Sequence, residues 1–277
     1  MIVTLRELLP AAAVGGYAVP CFNVFGNEEA VAIVAAAQAL ERGVILACNK
    51  EMAEFMGVEG FFGMVSHAAK SASVPVCVHL DHCDDEARVV QALKAGFSSV
   101  MFDGSQLPLA QNISRTAAMA KIAHQFGASI EGEVGSVPYF EGRAHIKSEL
   151  TSPADAQDFA EQSGVDAMAI AVGNIHRLRE PTADIDYDLL GRIEACTSLP
   201  LVIHGTTGIT DADLRKLKQR RVSKFNIGTT MRMTFARSLR SSLAQDTDGF
   251  DRLTLMRPVV AALQTEAMRV LTLLGQD

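Results

Sequence analysis

Apolar residues in this chain come in two alternating textures. Short unbroken runs lie at residues 18–24, 44–49, 76–82, 99–103, 129–134, 167–172, 201–204 and 224–227. They are rich in β-branched and small apolar side chains, the composition of strands buried on both faces. Between them lie longer stretches with apolar positions at helical spacing, among them residues 28–42, 84–95, 109–126, 153–163, 187–196 and 211–219. Gly96, Gly127 and Gly164 each follow such a stretch, where a left-handed C-cap favours a residue without a Cβ. Asp and Ser near the helix starts supply N-caps. Eight strands, each followed by a helix and with no linker or composition break, predict an α/β fold: a closed (β/α)8 TIM barrel forming one domain over residues 1–277. The tail, residues 252–274, reads as a last amphipathic helix that closes the barrel or packs on a partner subunit. The competing architecture is a doubly wound open sheet. It would more often show fewer strands and a glycine-rich first turn, and no GxGxxG follows residues 18–24.

A parallel barrel gathers its chemistry at the carboxyl ends of its strands, and polar residues recur at those ends. Asn23, Asn49, Asp81-His82 and Asp103 close the first four runs, and Glu131 and Glu133 lie on the fifth. Gly173-Asn174-Ile175-His176 follows the sixth, His204-Gly205 ends the seventh, and Asn226 to Thr229 closes the eighth. A carboxylate and an imidazole at the end of a buried strand are costly without partners. Taken alone, Asp81 reads equally as a helix cap and His82 as a satisfied boundary histidine. Three histidines at the ends of the third, sixth and seventh runs, His82, His176 and His204, point instead to a catalytic zinc centre with one position open. The others do not join them: His67 and His124 lie in helical patterns, His145 in a polar loop, and His79 deeper in its strand as core or support. Adjacent strand residues face opposite sides, so Asp81 and His82 can share the mouth only if the strand breaks there. His204-Gly205-Thr206-Thr207-Gly208 and Asn226-Ile227-Gly228-Thr229-Thr230 each place exposed N–H groups and hydroxyls at a helix start, an anion site or, more plainly, a cap.

Composition narrows the partners. Net charge is −7, with no basic stripe, so nucleic acid is not expected. Hydrophobic residues make up 48% without a run long enough to span a bilayer, and Met1 to Glu7 lacks the basic region of a signal peptide. Five scattered cysteines without CxxC spacing fit a reduced, cytoplasmic protein.

The motifs together resemble the class II, metal-dependent ketose-bisphosphate aldolases of the fructose- and tagatose-bisphosphate type, over nearly the whole chain. The resemblance rests on Val78-His79-Leu80-Asp81-His82, Ser99-Val100-Met101-Phe102-Asp103-Gly104-Ser105, Glu131-Gly132-Glu133-Val134-Gly135, Gly173-Asn174-Ile175-His176, Leu201-Val202-Ile203-His204-Gly205 and Asn226-Ile227-Gly228-Thr229. It implies a Zn2+ held by His82, His176 and His204, with Asp103 and Glu133 near an alternative or second metal position. It implies that Asp81 donates the proton to the aldehyde oxygen and that Glu141, on a loop after strand five, exchanges the proton on the other product. Gly205, Thr206, Thr207, Asn226, Ile227, Gly228 and Thr229 would hold the phosphate and hydroxyls of a dihydroxyacetone-phosphate unit, with Asn23, Asn49 and Arg177 also facing the substrate. The resemblance further implies a phosphorylated sugar substrate in glycolytic carbohydrate metabolism, a homodimer or homotetramer, and a monovalent cation (Na+ or K+). No Schiff-base lysine is then needed: Lys50 and Lys94 read as helix positions and Lys224 as preceding the strand-eight turn.

The chain departs from the family pattern around the substrate. Arg177 stands where glycine usually follows the strand-six histidine, so it either replaces the monovalent ion's charge or remodels the pocket. Its plainer alternatives are solvent or a nearby acid such as Glu180. Thr206-Thr207 replaces Gly-Ser or Ala-Ser, Asn49 replaces Ser or Thr, Pro138 and Tyr139 replace loop glycines, and Cys83 follows the Asp-His pair in place of glycine. The alternatives are therefore an aldolase for an uncommon phosphosugar or keto-acid phosphate, another metal-dependent reaction such as epimerisation, or a non-catalytic scaffold. Retention of Asp81 and the three histidines speaks against the scaffold.

Overall fold

The structure is a computed structural model that describes residues 1–140 and 148–276. All eight apolar runs form strands: β1 (Val19–Asn23), β2 (Val44–Asn49), β3 (Val76–Cys83), β4 (Ser99–Phe102), β5 (Ser129–Val134), β6 (Ala167–Ile170), β7 (Leu201–Ile203) and β8 (Val222–Ile227). They pair in parallel in chain order and β8 closes on β1. This is the TIM barrel that the alternating pattern predicts.

The outer layer comprises α2 (Asn27–Ala39), α3 (Lys50–Met56), α4 (Val58–Ser71), α5 (Glu86–Ala95), α6 (Leu109–Gln125), α7 (Pro153–Gln162), α8 (Tyr187–Cys196) and α9 (Asp211–Lys218), followed by α10 (Thr229–Gln245) and α11 (Arg252–Leu274). The tail forms α11, which packs on α2, α9 and α10 of its own barrel, and Leu274 O accepts from Ala18 N at 2.8 Å. Gly96, Gly127 and Gly164 have φ of 109°, 75° and 69°, the left-handed caps their positions suggest.

Two hydrophobic layers follow from strand alternation. Outward residues such as Phe22, Leu46, Val78 and Phe225 pack under the helices. Inward residues Val19, Cys21, Ile45, Ala47, Cys77, Ala167, Ala169 and Val202 fill the barrel's lower half. A helix not foreseen from strand–helix alternation, α1 (Leu5–Gly15), covers that end with Leu5, Leu8, Leu9 and Ala12. Its start is tied to the barrel floor by Leu5 N donating to Ser129 Oγ at 2.9 Å.

β8 begins before residue 224, where the sequence pattern starts it. Lys224 lies inside the ladder, paired in register with Val19, and is fully buried. A charged residue hides a strand from an apolar count when a partner elsewhere in the barrel neutralises it.

Candidate active site

The strand break required at Asp81-His82 is present. The β3–β4 register shifts between Leu80 and Cys83, and His82 has φ 49°. That irregularity turns two consecutive side chains into the same mouth, where both line the cleft. Asp81 is buried and clamped: Asn23 Nδ2 donates to its Oδ2 at 2.8 Å and Asn226 Nδ2 to its Oδ1 at 2.9 Å. Burial works to raise its carboxyl, but His82, His204, Lys224 and the Asn23 amide outweigh it and hold Asp81 below the ordinary aspartate range.

His82, His176 and His204 converge, with one ring nitrogen of each within 4.8 Å of the others. Ring centroids lie 5.0 Å apart for His82–His176, 4.5 Å for His82–His204 and 5.7 Å for His176–His204. The neighbouring loops fix these positions. Asn174 Nδ2 donates to His204 O at 3.0 Å, tying the β6 loop to the end of β7. Gly205, at φ 73°, lets those loops touch, because a Cβ there would lie 2.3 Å from Ile175 O. Tyr139 stacks on His176 with centroids 4.4 Å apart, and His176 N donates to Pro138 O at 2.8 Å.

Each anchored histidine has one nitrogen engaged and another bare. His82 Nδ1 lies 2.8 Å from Asp103 Oδ2, and His204 Nε2 lies 3.0 Å from Glu131 Oε1. The buried atoms left without a hydrogen-bond partner include His82 Nε2, His204 Nδ1 and Glu133 Oε2. Orphaned buried polar atoms gathered at one point are costly unless something binds them. A carboxylate holding the far nitrogen is also how metal-ligating histidines are oriented. The donor set therefore fits zinc. Burial, helped by the neighbouring His82, holds His176 and His204 well below the usual histidine range, so both present neutral imidazoles. For His82 burial acts downward, but Asp81, Tyr139 and Asp103 outweigh it and push the ring well above that range.

Asp103 and Glu133 form with His82 a second cluster of potential ligands. Glu133 accepts from Val137 N at 3.1 Å, and burial together with Asp103 pushes its carboxyl up to about 8. A buried acid poised in this way is readily ionised by an incoming cation.

The cleft is lined by Asn23, Asn49, Arg177, Gly205, Thr206, Thr207, Asn226, Gly228 and Thr229 among others. Three of the expected substrate contacts are narrower than the sequence suggests. Ile227 is not among the lining residues: its side chain is buried in the hydrophobic core, leaving only its backbone for a ligand. Asn49 Oδ1 accepts from Met52 N at 2.9 Å and caps α3, and the Thr206 hydroxyl donates to Asn226 O at 2.8 Å. Glu141 lies outside the described residues.

Arg177 pairs with Glu51, not with Glu180 among the described contacts, and its side chain remains about a third exposed. It has φ 62°, a left-handed conformation that favours the family's glycine, and its guanidinium lies 5.5 Å from the Tyr139 ring centroid. Arg232 Nη1 stands 3.8 Å from the other Glu51 oxygen. Sequence reasoning passed over Glu51 and Arg232, and it gave Glu131 and Lys224 no role in the site. Lys224 lies 2.9 Å from Glu131 Oε2; burial opposes its charge, and Glu131 and Asp81 overcome that. His79 is the supporting residue its depth suggested, 2.8 Å from Ser99 Oγ.

The model of the class-II fructose-bisphosphate aldolases matches residues 3–277. The chain belongs to that family. By that membership it is a class II aldolase. Among solved structures it is similar to the YdjI aldolase from Escherichia coli K12, at 28% identity over 100% of this chain and 98% of that one, with a TM-score of 0.87. It is also similar to a fructose-bisphosphate aldolase from Campylobacter jejuni, at 20% identity over 99% of this chain and 95% of that one, TM-score 0.84. The second likeness concerns the fold alone. No helix among the described residues is long and apolar enough to cross a membrane.

Proposed function

We propose that this aldolase is zinc-dependent and reversibly cleaves a phosphorylated ketose, of the ketose 1,6-bisphosphate kind, to dihydroxyacetone phosphate and an aldehyde. The observation that carries the reading is the convergence of three imidazoles on one point beside a clamped, buried carboxylate. His82, His176 and His204 would hold the zinc, with Asp103 and Glu133 offering an alternative position. Bound there, zinc acts as a Lewis acid toward the charge that develops on the ketose oxygens during carbon–carbon cleavage.

The remaining steps belong to this chain's own side chains. Asp81, ionised and fixed by Asn23 and Asn226, takes the proton from the hydroxyl that becomes the aldehyde oxygen and returns it in condensation. Glu141 exchanges the proton at the carbon of dihydroxyacetone phosphate that forms the new bond. The phosphate sits between the turn at Gly205 to Thr207 and the start of α10 at Asn226 to Thr229, where N–H groups and the helix N-terminus favour an anion. Arg177 supplies a fixed positive charge there in place of a Na+ or K+ ion, or recruits an additional anionic group. No amine nucleophile is needed: Lys224 is paired with Glu131 and Lys50 with Asp84 at 2.8 Å.

Arg177, Asn49 and Tyr139 favour a second reading of the substrate, an uncommon phosphosugar or keto-acid phosphate. We further propose a homodimer or homotetramer, testable by light scattering, in a reducing cytoplasm that suits its five free cysteines. The decisive experiment incubates zinc-loaded protein with dihydroxyacetone phosphate and aldehydes that are neutral, phosphorylated or carboxylated. A phosphorylated condensation product is expected. Absence of product with every aldehyde, together with no solvent proton exchange in dihydroxyacetone phosphate, refutes the reading.

A further inference from the structure

One ammonium lies beneath the mouth, between the proton-transfer carboxylate and a proposed zinc ligand. Lys224 and Asn226 are two apart on β8, so both side chains point into the barrel. Lys224 Nζ is 2.6 Å from Asn226 Oδ1 and 2.9 Å from Glu131 Oε2. An ammonium has only donors, so the Asn226 atom facing it must be the carbonyl oxygen. That choice turns Asn226 Nδ2 toward Asp81 Oδ1 at 2.9 Å. With the amide reversed, Asp81 would face an oxygen, lone pair against lone pair.

On its other side Lys224 neutralises Glu131. An ionised carboxylate only accepts hydrogen bonds, so His204 Nε2, 3.0 Å from Glu131 Oε1, must carry the ring hydrogen. His204 Nδ1 is then left with a lone pair, and it is the atom without a partner, 3.8 Å from Glu133 Oε2. Packing requires no charge here. The register partners of Lys224 and Asn226 on β1 are Val19 and Cys21, both in the apolar floor.

We propose that Lys224 is a positioning residue that sets the amide orientation presented to Asp81 and selects Nδ1 of His204 as the ligating nitrogen. This inference rests on the zinc-aldolase reading of the site. Its test compares the parent with Lys224→Met and with the double variant Glu131→Gln/Lys224→Met. Zinc affinity is measured by competition with a chromophoric chelator, and kcat and KM in the condensation assay. Lys224→Met should lose zinc affinity by about 10- to 100-fold, the usual cost of disturbing a ligand's support. Its kcat should fall by about 100-fold, the scale of a displaced acid–base group, with KM changed by less than about threefold.

The double variant leaves no lone buried charge and should fold. The amide that Glu131→Gln introduces can still accept from His204, so zinc affinity should return to within about tenfold of the parent. Turnover should stay about 100-fold low, because nothing then orients Asn226. Parental affinity and kcat in Lys224→Met, parental turnover in the double variant, or loss of fold in both overturns the proposal. A parent that binds no zinc and gives no product defeats the reading of the site instead.

Discussion

The two ends of this barrel are built from the same strands and opposite materials. At the amino end, the inward positions are Val19, Ile45, Cys77, Ala167 and Val202, sealed by the leucines of α1. Two inward steps along β1, β2 and β3 they become Asn23, Asn49 and Asp81, and Glu133 on β5 and Asn226 on β8 stand at the same mouth. Apolar packing at one end supplies stability without direction, whereas the other end holds bare nitrogens and carboxylates in fixed directions at a cost in desolvation. The contrast teaches that a change at the floor should cost stability and spare the chemistry, and a change at the mouth should do the reverse.

The largest expected effect is at the histidines. His82→Ala, His176→Ala and His204→Ala should each drop turnover to background with the circular-dichroism spectrum of the folded parent. Elemental analysis should show zinc lost in each, and chelation of the parent should stop turnover until zinc is restored. Undiminished metal in the three variants would sink the ligand assignment.

Next in size is Asp81→Ala, expected to keep its metal and slow cleavage by at least ~100-fold. Proton exchange in dihydroxyacetone phosphate should survive better in this variant than in Glu141→Ala. The opposite ranking would mean the two carboxylates have been given each other's roles.

The floor supplies the counter-test. Leu9→Ala removes a fully buried side chain of α1 and should destabilise the protein by about 2–5 kcal/mol, the range for such cavities. Measured by urea denaturation, that loss should appear with kcat unchanged in the folded fraction. A variant with parental stability and impaired kcat would show that the two ends are not independent.

How much of this was legible in the sequence follows the same division. Strands and helices announced themselves because barrel strands are apolar on both faces and helices on one. The three histidines could be found because each ends or closely follows a run, and the Asp81-His82 conflict even foretold the register shift. What stayed hidden were pairings whose meaning lies in a distant partner. Lys224 looked like a strand boundary because nothing near it in sequence reveals Glu131. Arg177 has its partner 126 residues away in Glu51. α1 was missed because strand–helix alternation says nothing about what plugs a barrel. Ile227 was credited with facing the substrate because a motif names residues in a row, whereas a strand alternates them.

The smallest expected effect, and the sharpest probe of how the mouth differs from its relatives, concerns Arg177. Its guanidinium is held by Glu51 and lies over Tyr139, which itself stacks on His176. The arginine thus connects the first turn of α3, the β5 loop and a proposed zinc ligand. Its left-handed backbone is one that glycine adopts without strain, so Arg177→Gly should change stability by no more than about 1 kcal/mol. The function of the charge can therefore be separated from that of the fold. If the guanidinium stands in for a monovalent cation, the glycine variant should raise KM for dihydroxyacetone phosphate by about tenfold, the scale of one charge-assisted hydrogen bond. Added potassium should then recover part of that loss, while having no effect on the parent. If the arginine instead recruits an extra anionic group, potassium should do nothing and the preference for carboxylated or phosphorylated aldehydes should collapse. Zinc content should be parental in either case, because none of the three histidines depends on Arg177 for a hydrogen bond among the described contacts. A glycine variant with parental KM, aldehyde preference and salt response would reduce Arg177 to a brace for Glu51, and the mouth would then read its substrate through neutral groups alone.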